Sequence, residues 1–471
     1  MDAFAQRRTW QRGYRLALSQ LLCLGRHTVT NLLATCGRQF IDWSGDYRLF
    51  SQARWDPRGV FRPVIGGVMG LCPDKDVFVV AMDDTHLRRS GKHTPGVSWG
   101  RDPLGPPFHC NLILRQRFIQ VSAALYTAAP PAAARAVPIR FQHCPPVAKP
   151  KRSAEPAEWK EYRKQCRERN LCTEGAAILY QLRQELDQHH HAWHRLLVAC
   201  VDASYFNQTV VKRLPERTCL IGRTRKDVKL FFLPAPPEQP VRGPHAKYGQ
   251  PAPSPEQLRQ DASIPWQQVT AFASGKLHTF RIKTIAPVLW AKAGADRPLR
   301  LVVIAPTGYR LRKGSRLLYR QPAYLLCTDP DLPVERLVQY YLWRWDIECD
   351  HREEKHVLGV GQAQVTAELS VQRQPELAVA SYAMLLLAAA RAFGQDALEL
   401  TLPPPKWLAN RTKPRVTIED LLHQLRCEVW AHGLERLTAN CDHFVNEPTA
   451  DTKCPQIEES LPSAALYVRW G

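Results

Sequence analysis

Val77-Phe-Val-Val-Ala-Met-Asp-Asp84 is the stretch from which the fold follows. Six apolar residues run without a break and end on two acids. Such a run predicts a strand buried on both faces that delivers carboxylates at its C-terminal end. Leu196-Leu-Val-Ala-Cys-Val-Asp202 repeats the pattern. Residues 156–190, between the two, read as helical, so the chain reads as α/β. Any one of these aspartates is explained as well by a turn or a cap. Two buried strands with the same ending are much harder to explain that way.

Outward from these strands, Phe108–Leu114 and Phe118–Leu125 read as further strands. An Ala- and Pro-rich stretch, 127–155, reads as surface loop and turns basic at Lys149-Pro-Lys-Arg152. From 208 the pattern changes to short strands and turns, with a Pro-rich loop over 234–255. Its basic stretches, Arg223–Lys229 and Tyr309–Arg316, suit a DNA backbone, although edge strands also use Lys and Arg to stay soluble. Helices resume near 332, and Thr417-Ile-Glu-Asp420 reads as a helix start. Upstream, residues 1–72 read as three short helices with Arg and aromatic residues interleaved. They suit either a DNA-reading unit or a helical cap on the main domain. The expected division is 1–72 N-terminal helical DNA-binding region, 73–207 first part of the core, 208–331 β-rich insertion, 332–440 helical second part, and 441–471 an irregular tail.

The chain has 471 residues, 45% of them hydrophobic, enough for two or three domains with a sizeable core. Lys+Arg 64 against Asp+Glu 44 leaves +20, with a pI near 9.5. That balance favours a polyanionic partner. A membrane fits poorly, because the longest apolar run, Leu377–Ala390, is interrupted by Ser381 and Tyr382 and is too short to span. It reads as a buried core helix. The N-terminus, Met-Asp-Ala-Phe-Ala-Gln-Arg-Arg, has no signal-peptide layout, so a cytoplasmic, nucleoid-associated protein is expected. Fourteen cysteines without a CxxC pair read as reduced thiols rather than a zinc site. His190 and His194 are four apart but lack the Glu of a metallopeptidase helix, and read as a polar helix end.

The chemistry concentrates in Tyr341-Leu-Trp-Arg344-Trp-Asp-Ile-Glu348-Cys-Asp-His-Arg-Glu-Glu-Lys355. On one continuous helix, Tyr341, Arg344, Glu348 and Lys355 return to one side within about 60°. Asp346, Asp350, Glu353 and Glu354 point away. One carboxylate between two cations and a phenol suits metal-assisted chemistry on a phosphodiester. Arg344 and Glu348 are equally an ordinary i,i+4 pair on a solvated face. Adding Glu348 to Asp83 (or Asp84) and Asp202 gives three acids on separate elements. Two divalent ions in an in-line displacement need such a set.

With these residues the chain resembles a DDE-type transposase of bacterial insertion sequences, in the branch with the Y-x2-R-x3-E-x6-K signature. Tyr341, Arg344, Glu348 and Lys355 match every position. Asp83-Asp-Thr-His-Leu and the segment onward through Arg101–His109 resemble the first-aspartate region of DDE-superfamily endonucleases, and Asp202 falls at the second. The family's Asp-x-Thr-x-Leu favours Asp83 over Asp84, with Thr85 and Leu87 following. The resemblance implies a ribonuclease H-like α/β core with a β-rich insertion. It implies Asp83, Asp202 and Glu348 as catalytic metal ligands for Mg²⁺ or Mn²⁺, two ions in all. It implies Tyr341, Arg344 and Lys355 on DNA phosphates. It also implies cut-and-paste transposition on double-stranded DNA, at terminal inverted repeats and a target, by a homodimer on DNA. Trp266 and Trp290 are candidates for stacking on a displaced base, with core packing as the plainer role. Two other readings stand beside it: a catalytically silent DNA-binding descendant and a general metal-dependent nuclease.

Overall fold

The structure is a computed structural model that describes residues 3–102, 105–106, 111–189, 192–235, 246–312, 314–394 and 415–438, with side chains as far as 429. His190, Phe108 and His109 with the rest of 107–110, and the tail after 440 lie outside the described residues.

Helices α1 (Arg7–Leu22), α2 (Val29–Thr35), α3 (Ser44–Ser51) and α4 (Arg62–Leu71) come first. The sequence predicts three of them. The fourth, Arg-Pro-Val-Ile-Gly-Gly-Val-Met-Gly-Leu, is poor in helix formers. It forms because Val64, Ile65, Val68 and Met69 all bury on one side.

The sheet beyond α4 holds β1 (Val77–Arg88), β2 (Ser98–Arg101), β3 (Leu112–Leu125), β4 (Arg135–His143), β5 (Leu196–Val201) and β6 (Thr218–Arg223). α5 (Pro156–Glu168) and α6 (Leu171–Asp187) carry the chain from β4 to β5, and α7 (Gln208–Val211) lies between β5 and β6. β1 is antiparallel to β3 and parallel to β5, β6 is parallel to β5, and β4 is antiparallel to β3. This is a mixed α/β sheet compatible with a ribonuclease H-like core.

Three strand boundaries differ from the sequence reading. β1 does not end at Asp84 but runs to Arg88, because β3 pairs with it as far as Arg88↔Arg115. Phe108–Leu114 and Phe118–Leu125 are not two strands. The described part is one strand, β3, since Leu114, Gln116 and Phe118 alternate inward through the polar Arg115-Gln-Arg117. β4 lies inside the stretch read as loop. Its Ala and Pro content hid it, and its Pro138 sits beside a register shift, where a missing N–H is tolerated.

After β6 come β7 (Leu230–Phe231), β8 (Pro251–Ala252), α8 (Pro255–Gln260), β9 (Gln267–Ala273), β10 (Lys276–Trp290), β11 (Gly294–Ile304), β12 (Gly308–Tyr309), β13 (Leu318–Tyr319) and β14 (Ala323–Cys327). β6 falls within the span read as insertion, yet it pairs with β5 as a core strand. β14 then pairs with β6, so the β-rich part extends the core sheet, which has twelve strands among the described residues. α9 (Val334–Trp343), α10 (Asp346–His356), α11 (Ser370–Phe393) and α12 (Ile418–Thr438) complete the chain. Thr417 and Asp420 cap α12 reciprocally, as their spacing predicts. α11 is, among the described residues, the one helix long and apolar enough to cross a membrane, and it packs in the core against β4, α1 and α4.

The N-terminal helices share one hydrophobic cluster with β1, β3, β4 and α11. They are also tied to the turn after α10. Gln20 donates to the Leu358 carbonyl at 2.5 Å, and the His27 N–H donates to Gln362 at 2.8 Å. Gly359 in that turn has φ +60, and a Cβ there would lie 2.6 Å from His27 Nδ1 and 2.5 Å from Gln362 Oε1. Gly359→Ala is therefore expected to destabilise the protein by about 1–3 kcal/mol. Chemical denaturation measures this, and an unchanged midpoint would contradict it.

Candidate active site

Adjacent parallel strands bring two of the acids to one level. The last register pair between β1 and β5 is Met82↔Val201, so Asp83 and Asp202 each lie one residue beyond it. Neighbouring strands lie about 4.8 Å apart. Both carboxylates thus meet at the C-terminal end of β5, the end at which open α/β sheets bind ligands. Asp202 is held by a turn of its own making. Its Oδ1 accepts the N–H groups of Ser204 at 2.9 Å and Tyr205 at 3.3 Å, and the Ser204 hydroxyl at 2.6 Å.

Asp83 and Asp84 face opposite sides of β1. Asp83 Oδ1 accepts the Asp84 N–H at 2.8 Å, and its Oδ2 lies 3.8 Å from Arg344 Nη1. Burial pushes the Asp83 carboxyl up to about 7; the Asp202 charge adds to this and Arg344 opposes it. Asp84 instead accepts from Tyr205 Oη at 3.3 Å and lies 3.7 Å from His86 Nε2.

The run from Tyr341 to Lys355 is not one helix. α9 ends at Trp343 and α10 begins at Asp346. Between them the N–H groups of Arg344, Trp345, Ile347 and Glu348 bond three residues back rather than four. Each such residue turns by about 120° instead of 100°. The exact single-helix face predicted from spacing therefore does not form. Arg344 sits at the tightened turn and spans the gap: Nη2 donates to Glu348 Oε1 at 3.0 Å, while Nη1 approaches Asp83. Tyr341 stacks under the same guanidinium, 5.9 Å from ring centroid to charge centre. Burial pushes the Tyr341 phenol up. Lys355 reaches β1 from the far end of α10 and donates to Thr85 Oγ1 at 2.6 Å. Burial lowers its pKa, with Glu354, Asp83 and Asp84 pulling the other way.

The remaining α10 acids do point away. Asp350 accepts from Ser122 at 2.8 Å and from Tyr382 at 3.1 Å, Glu353 accepts from Tyr382 at 2.6 Å, and Asp346 lies 3.4 Å from Arg415. Trp290 stacks on Phe206, and Trp266 lies under Arg281 and Lys283. Sequence reasoning missed Thr85 as the Lys355 partner and Tyr205 as the Asp84 partner. Only the contact between elements shows them.

The donors are hard oxygens of the kind that hold Mg²⁺ or Mn²⁺. Two carboxylates at one level, one of them pushed toward neutrality, fit a site that a divalent cation would balance. Among the described residues no three His, Cys, Asp or Glu side chains already stand at ion-holding distance. Arg344 lies between Asp83 and Glu348.

A family model described as DDE superfamily endonuclease matches residues 1–292. The chain belongs to this family. The family acts on DNA, in nuclease and transposase chemistry, and its members generally use divalent metal ions. In this DDE superfamily endonuclease the matched residues include Asp83 and Asp202 and stop before the Tyr341–Lys355 segment. No curated protein matches the chain.

Proposed function

We propose that this endonuclease is a transposase of the insertion-sequence type, with Asp83, Asp202 and Glu348 as its catalytic acids. The reading rests on Arg344, which lies 3.8 Å from Asp83 and 3.0 Å from Glu348 and so ties the signature helix to the aspartate pair. The three acids would hold two Mg²⁺ or Mn²⁺ ions. When bound, such ions stabilise charge on the attacking and leaving oxygens and acidify the attacking water. The chain's own cations do the rest. Arg344 and Lys355, with the Tyr341 hydroxyl, hold the non-bridging oxygens of the phosphate and align it. In the first step a water oxygen bonds to phosphorus as the P–O3′ bond breaks, leaving a free 3′-hydroxyl and a 5′-phosphate. In the second, that 3′-hydroxyl attacks a target phosphodiester and displaces the target's 3′-oxygen. A homodimer bridging two terminal inverted repeats would pair the cuts.

The test is to incubate purified protein and Mg²⁺ with DNA carrying the inverted repeats that flank its gene, alongside DNA of random sequence. Nicks at the repeat ends and a product joined to new DNA are expected. Cutting of both DNAs without joining would replace this reading with a general nuclease. Binding without cutting would replace it with a silent descendant.

A further inference from the structure

β1 runs from Asp83 to Arg88 beyond its last pairing with β5, with β3 on its other side. This arm has two faces. One carries Asp83 and Thr85. The other carries Asp84, His86 and Arg88, and the register places His86 opposite Arg117 and Arg88 opposite Arg115. β2 adds Ser98 beside Arg115. The second face is thus a short row of cations leading away from the aspartate pair.

Like charges directly opposite on paired strands destabilise a sheet. Arg88 is balanced by Asp102, with which it forms a hydrogen-bonded ion pair. The guanidinium groups of Arg115 and Arg117 make no hydrogen bond or ion pair with the described residues, and Arg117 Nε is buried without a partner. Among those residues Asp84 is the one carboxylate facing both. Burial and Arg117 together lower the Arg115 pKa, against the pull of Asp84 and Asp102. Burial and the cations Arg115, Lys355 and Arg117 hold His86 at about 4, so it is neutral at pH 7. Arg115 is also fitted closely: a Cβ on Gly100 would lie 2.3 Å from its Nε and Nη2. The guanidinium lies across β2 because that residue has no side chain. Arginine forks set side by side at the edge of a nuclease site match successive phosphates of a nucleic-acid backbone.

We propose that Arg115 and Arg117 form a backbone track on the outer face of the β1–β3 arm, gripping DNA phosphates beyond the scissile one. The track lies outside the cleavage site and rests on the reading of the chain as a DNA-cutting enzyme. A strand passing the open edge of β1 reaches the acids on one face and the arginines on the other.

The test is binding of the full-length protein to a random-sequence DNA duplex over a range of salt, without divalent metal, for wild type, Arg115→Gln/Arg117→Gln and Arg115→Lys/Arg117→Lys. Each lost phosphate contact removes about 0.9 from the slope of log affinity against log salt. The Gln pair should lower the slope by about 2 and weaken binding by about tenfold or more at moderate salt, and the Lys pair should restore most of the slope. Gly100→Ala, which displaces Arg115 alone, should lower it by about 1. A Gln-pair slope equal to that of wild type overturns the track while leaving the enzyme reading intact. A flat salt response in wild type overturns both. Thermal melting of each variant, expected to match wild type or exceed it slightly, separates lost contacts from lost fold.

Discussion

Asp202→Asn and Glu348→Gln are each expected to lower the rate of DNA nicking by about 10³-fold or more, with DNA binding held within a few-fold. The substitutions are chosen so that only charge changes. Asn at 202 keeps an oxygen to accept the N–H groups of Ser204 and Tyr205. Gln at 348 keeps an oxygen for Arg344. The turn after β5 and the Arg344 bridge therefore survive, while the negative charge that a divalent ion needs is gone. Nicking time courses beside gel-shift titrations read the two effects separately. Cutting at the wild-type rate in both variants would remove these residues from the chemistry. Asp83→Asn should match them, and Asp84→Asn should lose less, because Asp84 faces Tyr205 and His86 on the other side of β1.

Glu354→Gln should be more stable than wild type at alkaline pH, by an amount on the order of 2–4 kcal/mol. Glu354 is 1% exposed on the inner side of α10. Burial pushes its carboxyl up to about 8; Gln120 and Lys355 oppose this and Glu353 adds to it. The sign comes from linkage. The folded state holds a proton that the unfolded chain releases near its ordinary value, so the stabilisation is full in acid and is lost as pH rises through about 8. Gln imitates the protonated acid and carries no such loss. Melting temperatures between about pH 5 and pH 9 should fall in wild type and fall less in the variant. Parallel curves would show that Glu354 stays charged in the fold. Slope remaining in the variant belongs to Asp350, which burial and the neighbouring Glu354 charge also push well up.

The buried strands were legible because composition alone marks them: Val77–Met82 and Leu196–Val201 are continuous apolar runs bounded by polar residues. Periodicity also found α10 and the direction of its spare acids. Three features escaped for physical reasons. β4 follows a run rich in Ala and Pro, and its apolar residues Val137, Ile139 and Phe141 are interrupted by Pro138 and Arg140, so that the segment reads as loop until β3 and α11 cover it. The turn at Arg344 changes helix type without any breaker residue, so an average of 100° per residue misplaces the side chains beyond it. The Lys355–Thr85 and Tyr205–Asp84 bonds join residues far apart in the chain, and no local pattern encodes them.

The tie between Gln20, His27 and the turn after α10 bears on how such proteins can be re-engineered. Exchanging residues 1–72 as a cassette would remove both bonds and strip the turn after α10 of its anchorage. Changes that spare this joint are those at outward-facing side chains such as Tyr14, Trp43 and Tyr47, with the scaffold beneath them left in place.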